Sequence, residues 1–174
     1  MLIAVTSDVS HMDSSSREDE QYIEQTIQLA RQAAERGDRP CGSLLVHDST
    51  VLERDTNRVY SGDDIALHPE LSLARWASRE LTADEQAETT LYTTVEPCSM
   101  CATALALTNL GRVVFCVSGA RYWTVASEIH DSVPNDYIPC SEVLGRLGAD
   151  TAVTESVLEE KGLVTIKACL GLDE

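Results

Sequence analysis

Three potential metal ligands stand out in this sequence of 174 residues, and each is placed where a helix is predicted to begin. Cys98 and Cys101 are three residues apart, so on a helix their sulfur atoms lie on one face and can share one ion. A helix N-terminus stabilises thiolates, which are the forms of cysteine that bind metals. His68 opens the other predicted helix and can supply a neutral nitrogen ligand. These side chains predict a metal site, with Zn²⁺ as the suited ion.

The number of ligands predicts what the metal does. Structural zinc sites use four protein ligands, whereas three leave one position open to water. Zinc in such a site lowers the pKa of the bound water to about 7 and so supplies a nucleophile. Glu70 follows His68 by two residues in the same helical turn, close to the ion without being a ligand. We therefore predict that Glu70 is catalytic and carries protons between the water and a substrate.

The order of these residues matches the signature of zinc-dependent nucleobase deaminases, a His-x-Glu motif followed by Pro-Cys-x-x-Cys. Here the two parts are His68-Pro69-Glu70 and Pro97-Cys98-Ser99-Met100-Cys101. From about residue 22 to residue 117 the chain resembles the cytidine deaminase superfamily, in the branch of guanine, cytosine and tRNA adenosine deaminases. The resemblance implies Zn²⁺ as cofactor, a cytidine-deaminase-like fold, and hydrolysis of an exocyclic amine with release of ammonia.

The same resemblance implies which residues contact the substrate. Asn57 lies eleven positions before the histidine and is similar to the asparagine with which this branch holds the base. Cys41 belongs to a segment that resembles the pocket-lining loop before the first strand, and Pro97 is assigned to the same pocket. Trp123 follows the last core strand and could stack on a planar ring, with burial in the core as the alternative.

The predicted elements form a three-layer α/β/α sandwich with a central mixed sheet. Apolar periodicity and turn residues predict helices over residues 22–36, 68–82 and 99–109, a hairpin over 42–59, and strands over 89–95 and 112–117. Beyond residue 120 the pattern weakens to a loop through Pro134 and Pro139, a helix near 143–147, a strand near 152–157 and a helical segment to 170. Residues 1–20, rich in serine and acidic residues, are predicted to be a mobile tail, and residues 21–174 a single zinc deaminase domain.

The balance of basic and acidic residues bears on which kind of ligand the chain binds. The chain has 13 Lys and Arg against 29 Asp and Glu, a formal net charge of −16. Binding to nucleic acid through phosphates requires a basic surface, so this composition argues against it and favours a small nucleobase or nucleoside. No apolar run approaches the length of about 20 residues that a membrane helix needs, and no secretion signal is recognised, so we expect a cytoplasmic protein without a membrane partner. Family resemblance alone implies a homodimer.

Several alternatives remain open. The Cys-x-x-Cys motif also occurs in thiol–disulfide oxidoreductases, and a structural zinc site would need a fourth ligand such as Cys140 or His47. A tRNA-specific adenosine deaminase would carry the same core motifs. Among free bases, the sequence Glu96-Pro97-Cys98 favours a guanine-type purine, whereas the helix after Cys101 lacks the aromatic pair that many purine-directed members carry there, so cytosine stays a candidate.

Overall fold

A computed structural model describes residues 9–129 and 137–172. These residues form five strands: β1 (Gly42–His47), β2 (Thr50–Thr56), β3 (Thr90–Val95), β4 (Arg112–Val117) and β5 (Ala152–Thr154). They also form helices α1 (Val9–Glu35), α2 (Pro69–Glu80), α3 (Ala83–Glu88), α4 (Ser99–Thr108), α5 (Gly119–Ala126), α6 (Cys140–Arg146) and α7 (Glu159–Leu170). In the described residues, no helix is both long and apolar enough to cross a bilayer.

The strands build one mixed sheet in the order β2-β1-β3-β4-β5. β1 is antiparallel to both β2 and β3, whereas β4 runs parallel to β3 and to β5. Helices cover both faces, with α1 and α7 on one side and α2, α4 and α6 on the other. The structure thus confirms the predicted three-layer α/β/α sandwich.

Two apolar cores fill the space between the sheet and the helices, because successive side chains of a strand point to opposite faces. Leu44 and Val114 belong to the core under α1 and α7. Leu45, Val113 and Phe115 belong to the core under α2 and α4. Every residue of β4 after the first is buried, as expected of a parallel strand that is covered on both faces.

The N-terminal segment differs from the prediction of a mobile tail. α1 begins at Val9, inside that predicted tail, and its Asp19 is only 5% exposed. The Asp19 carboxylate accepts a hydrogen bond from the Tyr92 hydroxyl at 2.8 Å and pairs with Arg112 at 2.7 Å. These partners lie on β3 and β4, far away in sequence, and for this reason the local composition did not reveal them. The prediction is wrong for this part of α1, and residues 1–8 lie outside the described residues.

Two short helices were absent from the sequence-based prediction. α3 begins with a capping box, in which the Thr82 hydroxyl accepts from the Glu85 N–H and the Glu85 carboxylate accepts from the Thr82 N–H. α5 follows β4 directly, and the Ser118 hydroxyl caps it by accepting from the Arg121 N–H. The predicted loop through Pro134 lies in part outside the described residues.

Candidate active site

The predicted metal ligands lie where two helices begin. His68 is the N-cap of α2 in an extended conformation, and Pro69 occupies the first helical position, where a backbone N–H is not needed. Cys98 is the N-cap of α4, and Cys101 lies in the first turn of that helix. α2 and α4 pack against each other on the same face of the sheet, which brings the two N-termini together.

The distances between the ligand atoms fit a zinc ion. Nδ1 of His68 lies 3.7 Å from Sγ of Cys98 and 3.6 Å from Sγ of Cys101, and the two sulfur atoms are 3.6 Å apart. Tetrahedral zinc, with bonds of about 2.3 Å to sulfur and about 2.0 Å to nitrogen, separates two sulfur ligands by about 3.8 Å and a sulfur from a nitrogen by about 3.5 Å. The triangle therefore has the size of one face of a zinc tetrahedron.

The two sulfur atoms differ in proton affinity when no cation separates them. The hydrogen bond from the Cys101 thiol, aided by His68, lowers the pKa of Cys98 to about 4 although burial opposes this change. The pKa of Cys101 is raised, by its hydrogen bond to Cys98 and by burial. Two buried thiolates at this separation repel each other, so a bound cation is what allows both sulfur atoms to be ligands.

Glu70 lies beside this triangle, almost completely buried at 4% exposure. Its Oε2 is 3.7 Å from the sulfur of Cys101, and its Oε1 is 3.1 Å from the hydroxyl of Thr93 on β3. Burial raises the pKa of Glu70 above its ordinary value. A carboxyl group with a raised pKa next to a metal site suits the uptake and release of protons near neutral pH.

A cavity of about 290 Å³ opens beside the ligands. The predicted site residues that line it are Cys41, Asn57, His68, Glu70, Cys98 and Trp123. Cys101 is fully buried behind the cavity wall. Pro97 is also buried and, within the part of the chain that the structure describes, does not line the cavity. The prediction that Pro97 contacts the substrate is therefore not supported, because this proline lies within the turn from β3 into α4.

Asn57 directs one end of its amide into the cavity. It follows the last residue of β2, and its backbone N–H donates to the carbonyl of Cys41 at 2.9 Å. Its side-chain oxygen Oδ1 accepts from the N–H of Val59 at 3.1 Å, and the amide NH₂ has no partner among the described residues. Because Asn57 is buried and lines the cavity, this NH₂ is a fixed donor for an acceptor atom of a ligand.

Glu96 is a cavity residue that the sequence analysis did not assign to the site. Its buried carboxylate accepts hydrogen bonds from the Gly119 N–H at 2.8 Å, the Cys140 N–H at 2.7 Å and the Tyr137 hydroxyl. These bonds hold Tyr137 and Ile138, which we call the cover, against the cavity. The sequence signal that could have identified Glu96 is its position directly before the Pro-Cys-x-x-Cys motif.

Aromatic side chains of α5 form another part of the wall. Tyr122 is buried, its ring centroid is 5.1 Å from that of Trp123, and both residues line the cavity. Trp123 is half-buried and also packs against the apolar core, so stacking on a ligand and core packing are compatible. Arg39, which the sequence analysis also missed, lies over the Trp123 ring with Cζ 5.7 Å from its centroid.

The alternative with a fourth protein ligand is not supported. In the described ranges, the group of possible ligand atoms at this site contains three residues and no fourth. Neither His47 nor Cys140 belongs to this group, and the ring of His47 bonds to Glu88 at 3.3 Å. The described residues include all six cysteines, and no disulfide bond forms among them.

Comparisons with known proteins agree with this geometry. The zinc-binding region of the cytidine and deoxycytidylate deaminases matches residues 16–117. A tRNA-specific adenosine deaminase of Agrobacterium fabrum is 34% identical over 94 residues, which are 54% of this chain and 62% of that protein. The match thus spans less than two thirds of that relative.

Two further similarities extend beyond the zinc-binding region. A probable cytosine deaminase of Schizosaccharomyces pombe is 26% identical over 153 residues, which are 87% of this chain and 92% of that protein. A solved structure of a guanine deaminase from Nitrosomonas europaea superposes with a TM-score of 0.69 at 18% identity, covering 87% of this chain and 84% of that one. At that identity the superposition shows a shared fold.

Proposed function

We propose that this chain, a hydrolytic deaminase that belongs to the cytidine and deoxycytidylate deaminase family, acts on a free nucleobase or nucleoside, with a guanine-type purine favoured over cytosine. The observation that carries the proposal is the zinc-sized triangle of His68, Cys98 and Cys101 beside the buried Glu70, at the wall of a cavity of about 290 Å³. Such a cavity is near the lower limit of the usual size of small-molecule sites.

The roles of the residues follow from where they lie. Zinc bound to the three ligands supplies the activation of water that hydrolysis at neutral pH requires. Glu70 accepts the proton of the attacking water at a carboxylate oxygen and delivers it to the ring nitrogen next to the attacked carbon. Glu70 then takes the second proton of that water from the oxygen now bonded to the ring carbon and transfers it to the exocyclic amine. The C–N bond breaks, ammonia leaves, and the oxygen becomes the carbonyl oxygen of the product. The NH₂ group of Asn57 donates to an acceptor on the base and fixes its orientation.

The cover and the charge of the chain support a small substrate over a base within RNA. Tyr137 and Ile138 lie against the cavity and reduce the space for a polynucleotide. The net charge of −16 also opposes binding to phosphates along an anticodon stem-loop. A tRNA-specific adenosine deaminase is the second candidate, favoured by the 34% identity to the Agrobacterium protein over the zinc-binding part.

The preference for a purine rests on the shape of the site. Trp123 and Tyr122 offer aromatic surface to a flat ring, and the cavity has room for a bicyclic base. The fold shared with the guanine deaminase covers 87% of the chain and so reaches into its C-terminal third, which supplies the cover. The similarity to the probable cytosine deaminase keeps cytosine as the alternative base. Deamination of guanine would give this chain a role in purine salvage.

Exposed apolar side chains on α4 support the proposal of a homodimer. Leu107 is 82% exposed, and Met100, which also lines the cavity, is 38% exposed, although both lie on a helix that carries ligands of the metal site. Burial of such side chains between two copies of the chain would remove them from water. The mass measured by light scattering after size exclusion tests this proposal, and a monomer at micromolar concentration would contradict it.

The experiment that tests the function is ammonia release across a panel of amino-purines and amino-pyrimidines, with an anticodon stem-loop as a further substrate. The variant Glu70→Gln should keep its zinc and lose nearly all turnover, while Glu80→Gln, at the exposed end of the same helix, should resemble the parent chain. Full activity of Glu70→Gln would contradict the proposed role. Absence of ammonia from every base would instead favour a non-catalytic zinc module.

A further inference from the structure

Arg39 is a cation at the cavity wall without an acidic partner. It is half-buried and lines the cavity, and no ion pair of Arg39 exists among the residues that the structure describes. Glu70 and Glu96 line the same cavity but make contacts elsewhere. By contrast, Arg112 and Arg121 each pair with a carboxylate. Other arginines without an ion pair among the described residues, such as Arg54 and Arg75, are exposed and do not line the cavity, whereas Arg39 does.

The acidic residue that precedes Arg39 does not neutralise it. The carboxylate of Asp38 accepts from the N–H groups of Tyr60 and Ser61 at 3.0 Å and 2.9 Å, and from the Ser61 hydroxyl at 2.7 Å. The cation nearest to this carboxylate is Arg36, whose Nε lies 3.5 Å away. The positive charge of Arg39 therefore remains available to a ligand.

Aromatic contacts hold the Arg39 guanidinium in place. Its Nε donates to the hydroxyl of Tyr60 at 3.2 Å, and its Cζ lies 5.5 Å from the centroid of the Tyr60 ring and 5.7 Å from that of Trp123. These contacts use the faces of the guanidinium and one N–H. The two terminal NH₂ groups have no protein partner in the described part of the chain, so a preorganised pair of donors is free.

We propose that Arg39 binds an anionic group of the substrate, so that the preferred form of the base is phosphorylated, as in a nucleoside 5′-monophosphate. This inference rests on the proposed deaminase function and goes beyond it, because it makes a phosphorylated form, and not the free base or nucleoside, the preferred substrate of the same site. The planar guanidinium matches two oxygen atoms of a phosphate with parallel hydrogen bonds. A neutral base would leave this half-buried charge unpaired, whereas a phosphate neutralises it. In a chain of strong negative charge, a fixed cation is also what allows an anionic substrate to enter.

The test compares three forms of one base as substrates of the zinc-loaded enzyme: guanine, guanosine and guanosine 5′-monophosphate. We expect kcat/KM for the monophosphate to exceed that for the nucleoside at least tenfold. In Arg39→Gln this ratio should fall to about one through a higher KM, and Arg39→Lys should retain part of it. Arg54→Gln is the matched control, because it removes the same charge from an exposed arginine on β2 that does not line the cavity.

A binding measurement separates this inference from the proposed function. Calorimetric titration with xanthosine and with xanthosine 5′-monophosphate, the corresponding products, needs no turnover. Tighter binding of the monophosphate that is lost in Arg39→Gln supports the role of Arg39 even if no guanine compound is deaminated. Equal affinity for the two products, or the same preference in Arg39→Gln as in the parent chain, overturns it even if free guanine is deaminated efficiently.

Discussion

The hydroxyl of Thr93 lies 3.1 Å from Oε1 of Glu70, so the proposed proton carrier is held by the central strand of the sheet. The same hydroxyl accepts a hydrogen bond from Ser43 at 2.8 Å, and its own hydrogen is shared between Glu70 and the carbonyl oxygen of Val95, also at 3.1 Å. All of these groups are buried. The chain Ser43–Thr93–Glu70 therefore restricts the carboxylate to one orientation beside the metal ligands.

Replacing Thr93 by Val should slow turnover without loss of zinc. The substitution keeps the shape of the side chain and removes the hydrogen bond to Glu70, which is worth about 1–2 kcal/mol. We expect kcat to fall about tenfold and zinc content to stay the same. Thr94→Val is the matched control, because its hydroxyl bonds to the carbonyl oxygens of Thr26 and Gly42 on the other side of the strand. An equal loss of kcat in both variants would contradict a specific role of Thr93.

Zinc binding should depend on Cys98 and not on cysteine content in general. Cys98→Ser replaces a ligand that already favours the thiolate, and we expect zinc, measured by mass spectrometry, to fall well below one equivalent. Cys116→Ser, a buried position on β4 whose thiol donates to the carbonyl of Leu158, should keep its zinc. Full zinc in Cys98→Ser would disprove this ligand assignment.

Removal of zinc from the parent chain by a chelator should lower its melting temperature, because the ion links the starts of α2 and α4.

Asp38 should make stability depend on pH. Burial alone would raise the pKa of Asp38, but hydrogen bonds from Ser61 and Tyr60 together with Arg36 lower it below its ordinary value. A carboxylate with a lowered pKa in the folded state stabilises the protein above the unfolded pKa of about 3.9, and this stabilisation is lost as pH falls through the folded value.

Asp38→Asn should therefore be less stable than the parent chain at pH 7, by about 1–3 kcal/mol, and the difference should shrink below about pH 4. Urea unfolding at pH 7 and at pH 3.5 measures both quantities. Asp150→Asn, at an exposed position, should leave stability unchanged at both values. A difference between Asp38→Asn and the parent chain that does not vary with pH would show that the ionised carboxylate is not the cause.

The metal site could be predicted from the sequence because its spacing is local. His68 and Glu70 share one helical turn, and Cys98 and Cys101 share another, so two short motifs define nearly the whole triangle. β4 was equally predictable, since its residues after Arg112 are all apolar and the strand has the predicted bounds. Where a structural feature depends on a few neighbouring positions, periodicity and capping rules are sufficient to predict it from the sequence.

The contacts that the sequence did not predict join distant segments. Asp19 is an ordinary acidic residue of a polar stretch until Arg112 and Tyr92 pair with it across the fold. Arg39 becomes a cavity residue only because α5, a helix that local patterns did not indicate, places Trp123 beside it. Such residues carry no local signal, because their environment is created by tertiary packing.

The cover provides the last prediction, through Gly119 at the start of α5. A Cβ atom at this position would overlap the ring of Tyr137, so the ring rests on the backbone of a residue that has no side chain. Gly119→Ala must displace Tyr137 and weaken its bond to Glu96, which opens the cavity to water. We expect KM for a small substrate to rise about tenfold with a smaller change in kcat, because the groups that touch the reacting atoms stay in place.

Gly145→Ala is the matched control, since nothing lies within 4 Å of the added methyl group, and α6 should gain up to about 1 kcal/mol of helix stability. An unchanged KM in Gly119→Ala would show that the position of Tyr137 does not affect substrate binding.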